Sequence, residues 1–235
     1  MTNAVPILAA VVVAVTVAMR ARRWPSPESR PLTLGLALLG LWALLRTPAL
    51  NRWAEERIDS AIGLELLPDL VASTAYVAGG TLIVISIAQA WCKPGLIRAA
   101  YTMLVVAEAA ILITYDPNEP DATLVDAHKW VVGVMAVAVN AAILLAAAIS
   151  YRTVPERFRT PIAIFMLGGA LGLVFGAVRL VTLLLPEVHL GDYKGLIGGI
   201  PVLAYALAAL IGTARAGAAD DAAAEIDEYP LDLED

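Results

Sequence analysis

Glu108 and Arg179 are charged residues set inside long apolar runs of this sequence. An ionised group at the centre of a bilayer costs roughly 2.5–3.5 kcal/mol on insertion scales, so such residues turn inward, find partners and mark candidate sites. Glu108 stands eleven residues after Ile97 and seven before Tyr115, and Arg179 stands six before Leu185. At about 1.5 Å of rise per residue, the two reach similar depth in the same half of a membrane. A carboxylate and a guanidinium at matched depth on different helices predict an intramembrane ion pair. Such a pair either fixes helix register or forms the charged centre of a solute pathway. The residue types leave both open.

Helical periodicity adds a supporting polar interior of Tyr76, Tyr101, Tyr115, Asn140 and Tyr205. Tyr101, Glu108 and Tyr115 recur at intervals of seven and so share one stripe. Asn140 shares a stripe with Gly133, and Tyr205 with Gly198 and Gly212, while Gly79 and Gly80 lie near Tyr76. Gly168, Gly172 and Gly176 form a doubled small-xxx-small pattern that predicts close helix packing beside Arg179. Pro201 removes a backbone donor from its run.

Other chemistry finds little support. His128 and His189 lie near Asp126 and Asp192, but these spacings are not those of metal ligands and read as solvated loops. Zincin, phosphate-loop and nucleophile-elbow motifs are absent, and Lys194 sits too near the mouth of the last run to hold retinal. The sequence therefore implies no enzyme activity, no metal and no cofactor. Cys92 is the lone cysteine, so no internal disulfide is possible, and it reads as a packing residue at the end of a span.

The elements that must position these residues are membrane spans. The chain has 235 residues, 60% apolar and 16% charged, with mean hydropathy +0.76. Its apolar residues gather in runs long enough to cross hydrocarbon. This excludes a soluble enzyme, a nucleic-acid-binding module and a disordered chain. It also argues against an outer-membrane barrel, whose strands read as short alternating segments. Seven spans are expected, over 4–19, 32–45, 67–91, 97–115, 130–150, 161–185 and 195–213. The fold class is thus all-α, a polytopic seven-helix membrane bundle. The first run reads as an uncleaved anchor, because no base precedes it and Arg20, Arg22 and Arg23 follow it.

One set of connections carries Arg20, Arg22, Arg23, Arg30, Lys93, Arg98, Arg152, Arg157, Arg159 and Arg215, ten in all, against five (Arg46, Arg52, Arg57, Lys129 and Lys194) on the alternate set. The positive-inside rule then puts the N-terminus outside and the C-terminus in the cytoplasm of a bacterial plasma membrane. Arg46 is expected to snorkel to the outer interface. Beyond it, Pro48 can open a helix in which Leu50, Trp53, Ala54, Arg57, Ile58, Ala61 and Ile62 share a face opposite Asn51, Arg52, Glu55, Glu56 and Asp59. That pattern predicts a short amphipathic helix in the outer interface, ending near Gly63, or else a continuation of the second span. Residues 1–215 form the membrane domain. Residues 216–235 hold eight of the 22 acids and no base, so the net charge of −6 belongs to this segment, and the remaining 14 acids face 16 bases. It is expected to be a disordered tail.

The stretch from Arg46-Thr47-Pro48-Ala49 to Asp59, followed by Gly63 and Pro68-Asp69-Leu70 after a basic first loop, resembles seven-span actinobacterial and mycobacteriophage membrane proteins labelled as transporters. The likeness covers roughly the first 110 residues. An Arg-to-Lys ratio of 13 to 3 and abundant alanine fit the GC-rich genome this implies. Two functions are therefore expected to compete. One is a non-enzymatic receptor, anchor or phage-type exclusion scaffold, whose outer helix and acidic tail meet protein partners. The other is a small-solute or ion transporter working around Glu108 and Arg179.

Overall fold

In the computed structural model the described residues are 3–62, 67–115, 122–185 and 193–228, and among them all regular structure is helical. The helices are α1 (Ala4–Ala21), α2 (Arg30–Leu45), α3 (Pro48–Ile62), α4 (Leu67–Ala90), α5 (Pro94–Ile113), α6 (Ala122–Thr153), α7 (Glu156–Leu184) and α8 (Tyr193–Glu228). An α-helix satisfies its own backbone polar groups, which hydrocarbon demands of any single span. Proline marks several starts: Pro31, Pro48 and Pro94 occupy first turns and Pro155 caps α7. There its missing N–H removes no helical bond. Cys92, at φ +52° and exposed, makes the tight turn between α4 and α5. It is a turn residue and not the packing residue expected, because both helices end before it can be covered.

Six of these helices are long and apolar enough to cross a membrane, and α2, at 16 residues, falls short by itself. Its place in the bundle resolves its role. Arg20 at the end of α1 donates from Nη1 to Thr213 Oγ1 of α8 at 3.2 Å. At the other end of the same pair, a side chain at Gly199 of α8 would meet Val5 and Pro6. Hence α1 and α8 run parallel. Helix α2 lies antiparallel to both, with Thr33 accepting from Arg20 Nε at 3.1 Å at one end and Arg46 against Gly195 at the other. It therefore runs from one end of the bundle to the other, and among the described residues six to seven passes are formed. Leu36, Leu39, Trp42 and Ala43 are all but fully buried, so α2 is a central helix. Its neighbours cover it, which lets a span of about 24 Å serve.

The opposite distribution holds on the perimeter. Val105, Val106, Ile113, Leu145, Leu167 and Val174 are among the large apolar side chains exposed on the outer faces. A water-soluble surface does not carry so many contiguous apolar groups, whereas lipid covers them at no cost. The molecule is a helical membrane bundle. Helix α3 turns through 85° from α2, so it runs across the bundle's end as a separate amphipathic helix and does not continue the second span. Its expected stop, Gly63, lies outside the described residues.

Two glycine contacts let α2 and α4 cross closely. A Cβ on Gly35 would stand 2.7 Å from the Gly79 carbonyl oxygen, and one on Gly79 would stand 2.8 Å from that of Gly35. Backbone meets backbone where α2 crosses α4. Helix α8, finally, does not stop at 215 but continues to Glu228. The disorder expected from 216 is corrected over that stretch. Alanines fill positions 218, 219 and 222–224, and alanine is the strongest helix former, so propensity outweighs the repulsion between neighbouring acids. Residues 229–235 lie outside the described residues.

Candidate functional site

The bundle has two polar ends. One gathers Arg20, Ser29, Thr33, Trp91, Ser150 and Thr213, with the guanidinium of Arg20 spanning α1, α2 and α8. The other gathers Arg46, Asp69, Ser73, Tyr115, His128 and Arg179. Between them lies a sealed interior built on Asn140.

Asn140 is 1% exposed. Its Nδ2 donates to the Tyr76 hydroxyl at 3.0 Å and to the Ala136 carbonyl at 2.6 Å. The Tyr205 hydroxyl donates to its Oδ1 at 2.6 Å. One amide thus ties α4, α6 and α8 together, and hydrogen bonds between helices are among the forces that remain in lipid once hydrophobic burial no longer discriminates. Gly172 of α7 makes the room, because a side chain there would collide with the Asn140 amide. Gly176 lies against the Ala136–Val137 backbone, and Gly168 lies beneath the Tyr205 ring. The three glycines hold α7 close to α6 and α8. Against Tyr76 pack Trp42 at 5.1 Å and Phe175 at 5.9 Å between ring centroids, and Trp42 and Phe175 are 5.8 Å apart. These three rings close the core beneath the second polar end.

The expected Glu108–Arg179 ion pair is not formed. Both carboxylate oxygens of Glu108 are buried without a hydrogen-bond partner. Arg179 instead stands over the ring of Phe175, 5.9 Å from its centroid, and the charges that reach it are Arg46 and Asp69. The cause is helix adjacency. Helix α5 packs on α4 and more lightly on α6, while α7 packs on α6 and α8. Matched depth is necessary for pairing, but these two helices are not principal neighbours.

The tyrosine stripe on α5 also divides. Tyr101 is 45% exposed and faces outward, so it leaves the expected polar interior. The inward face of this peripheral helix is Ala100, Ala107 and Ile111. Tyr115, just past the helix, meets the His128 ring at a tilt of 57°, with centroids 6.3 Å apart. His128 sits beside Ser73 at 3.3 Å, packed between helices and not in a solvated loop, because α6 begins earlier than expected. His189 lies outside the described residues. Among the described residues no three of His, Cys, Asp and Glu gather as a metal site.

At this end of the bundle Arg46 pairs with Asp69, at 2.5 Å. The sequence pattern alone has Arg46 reaching for the interface without a partner. The available signal is that Arg46 ends α2 and Asp69 opens α4, which places them at one level of an antiparallel pair. Trp42 and Phe175 are likewise hidden among other apolar residues. Comparison with protein-family models, curated proteins and solved structures returns no match.

Because Glu108 and Arg179 share no contact, their removal should be independent. Glu108→Gln and Arg179→Met, measured singly and together by thermal unfolding in detergent, should add to within about 0.5 kcal/mol. A double variant more stable than the sum of the single losses would restore the pairing.

Proposed function

We propose that the protein is a non-enzymatic membrane receptor or anchor whose bundle is a rigid scaffold and whose ends meet partners. The observation that carries this reading is the closed Tyr205–Asn140–Tyr76 chain, capped by Trp42 and Phe175. A solute path needs polar groups free to exchange partners. Here the central amide spends both ends on the protein itself. Helix α8 supports a connecting role, since one unbroken helix joins the Arg46 end to the acidic segment beyond Thr213. In this reading the exposed faces of α3 and the acids after residue 219 are the surfaces for protein partners.

The ten bases lie at the Arg20 end and the five at the Arg46 end, which supports an N-terminus outside and a C-terminus in the cytoplasm of a bacterial plasma membrane. An impermeant thiol reagent on intact cells should then label a cysteine placed at Asn3 and spare one at Ala222. The reverse pattern overturns the orientation.

A second reading, a small-solute or ion transporter, is favoured by one feature: Glu108 and Arg179 keep no ion-pair partner among the described residues. In it those two groups meet the solute. Proteoliposomes separate the readings. The scaffold reading expects fluxes of protons, chloride, amino acids and phosphate no greater than in empty vesicles. A flux that requires the protein and falls in Glu108→Gln or Arg179→Met would establish transport instead.

A further inference from the structure

Near the Arg20 end, α5 leans away from α6 and leaves a groove of about 290 Å³ between α4, α5 and α6, close to the lower bound of roughly 300 Å³ for small-molecule sites. Its making is legible in residue size. Ala88, Ala100 and Ala146 form a buried floor, while Leu96, Leu145 and Ile149 stand as walls about half exposed or more. Small residues below and large ones beside them make a trough that opens sideways, towards lipid. From Trp91 to Val84 on α4 it runs about 10 Å into the membrane.

What enters the trough is constrained by its mouth. Trp91 lines it there, with its indole Nε1 donating to Ser150 Oγ at 3.2 Å. This fixes the ring at the level where Trp usually meets lipid headgroups. Lys93 lies two residues after Trp91 and three before Leu96, and Arg152 lies one helical step of three beyond Ile149. Both are exposed. No acid lies in the stretches 88–103 and 142–153 that carry the mouth and walls. An apolar trough that ends under an indole, with two cations at its rim, matches the division of an anionic phospholipid into tail and headgroup.

We propose that this groove is a binding site for one anionic phospholipid, with an acyl chain lying on the alanine floor and the headgroup phosphate held by Lys93 and Arg152. Each cation near the membrane surface attracts anionic headgroups, and the buried chain supplies apolar contact. The site is independent of whether the bundle transports a solute, and it concerns the opposite end from Glu108 and Arg179.

The test uses the full-length protein in nanodiscs of phosphatidylcholine doped with phosphatidylglycerol brominated on its acyl chains. Trp91 fluorescence is isolated as the difference between the protein and Trp91→Phe. Brominated phosphatidylglycerol should quench it at a mole fraction at least about tenfold below that needed with brominated phosphatidylcholine. Lys93→Glu with Arg152→Glu should remove that preference, since each cation contributes attraction near the surface. Ala99→Phe, on an exposed position of the groove wall, should fill the trough and abolish the preferential quenching, with thermal stability kept. Equal quenching by both lipids in the unaltered protein would overturn the proposal. So would a preference unaffected by the charge reversals, or a dimer joined through α5 that shields Trp91 from both lipids.

Discussion

A bundle in lipid cannot be assembled by hydrophobic burial alone, because the solvent is as apolar as the core. The rest of this structure depends on how one polar group meets that constraint. Asn140 is placed where three helices converge, and each end of its amide is spent on a different neighbour. An amide left unmatched at such a site would carry a full desolvation cost, so the arrangement selects one register of α4, α6 and α8 over alternatives that break it. Gly172 is the complementary requirement. It lets α7 approach until Phe175 reaches Trp42 and Tyr76.

From this node the two ends acquire different characters. Towards the Arg20 end, threonine and serine hydroxyls bind one arginine and an indole, and the surface bases lie beyond. Towards the Arg46 end, two arginines and one aspartate share a region bordered by aromatic rings. The closed node separates the ends chemically, while α8 connects them mechanically.

Much of the architecture was legible in the sequence because span length and apolar run length are the same quantity. The six long apolar helices were readable, and so was a separate α3, from its opposed faces, after short α2. Tyr76, Asn140 and Tyr205 were readable as inward, but their union was not, since periodicity gives a residue's face and not its neighbour. The same gap misled the pairing of Glu108 with Arg179: depth along a helix is written in one sequence, and adjacency around a bundle is not. Tyr101 failed for a related reason, because a peripheral helix has only a narrow inward face. The acidic segment shows competition of another kind, where alanine propensity carries α8 to Glu228 against a charge pattern that argued for disorder.

Gly172 leaves the space that the Asn140 amide fills. Thermal unfolding of Gly172→Ala, Asn140→Ala and the double variant in one detergent tests it directly. An added methyl that collides with Asn140 should cost about 1–3 kcal/mol in the unaltered protein. In the Asn140→Ala background the colliding amide is gone, so the same methyl should cost little or stabilise the helix. Equal losses from Gly172→Ala in both backgrounds would contradict the account.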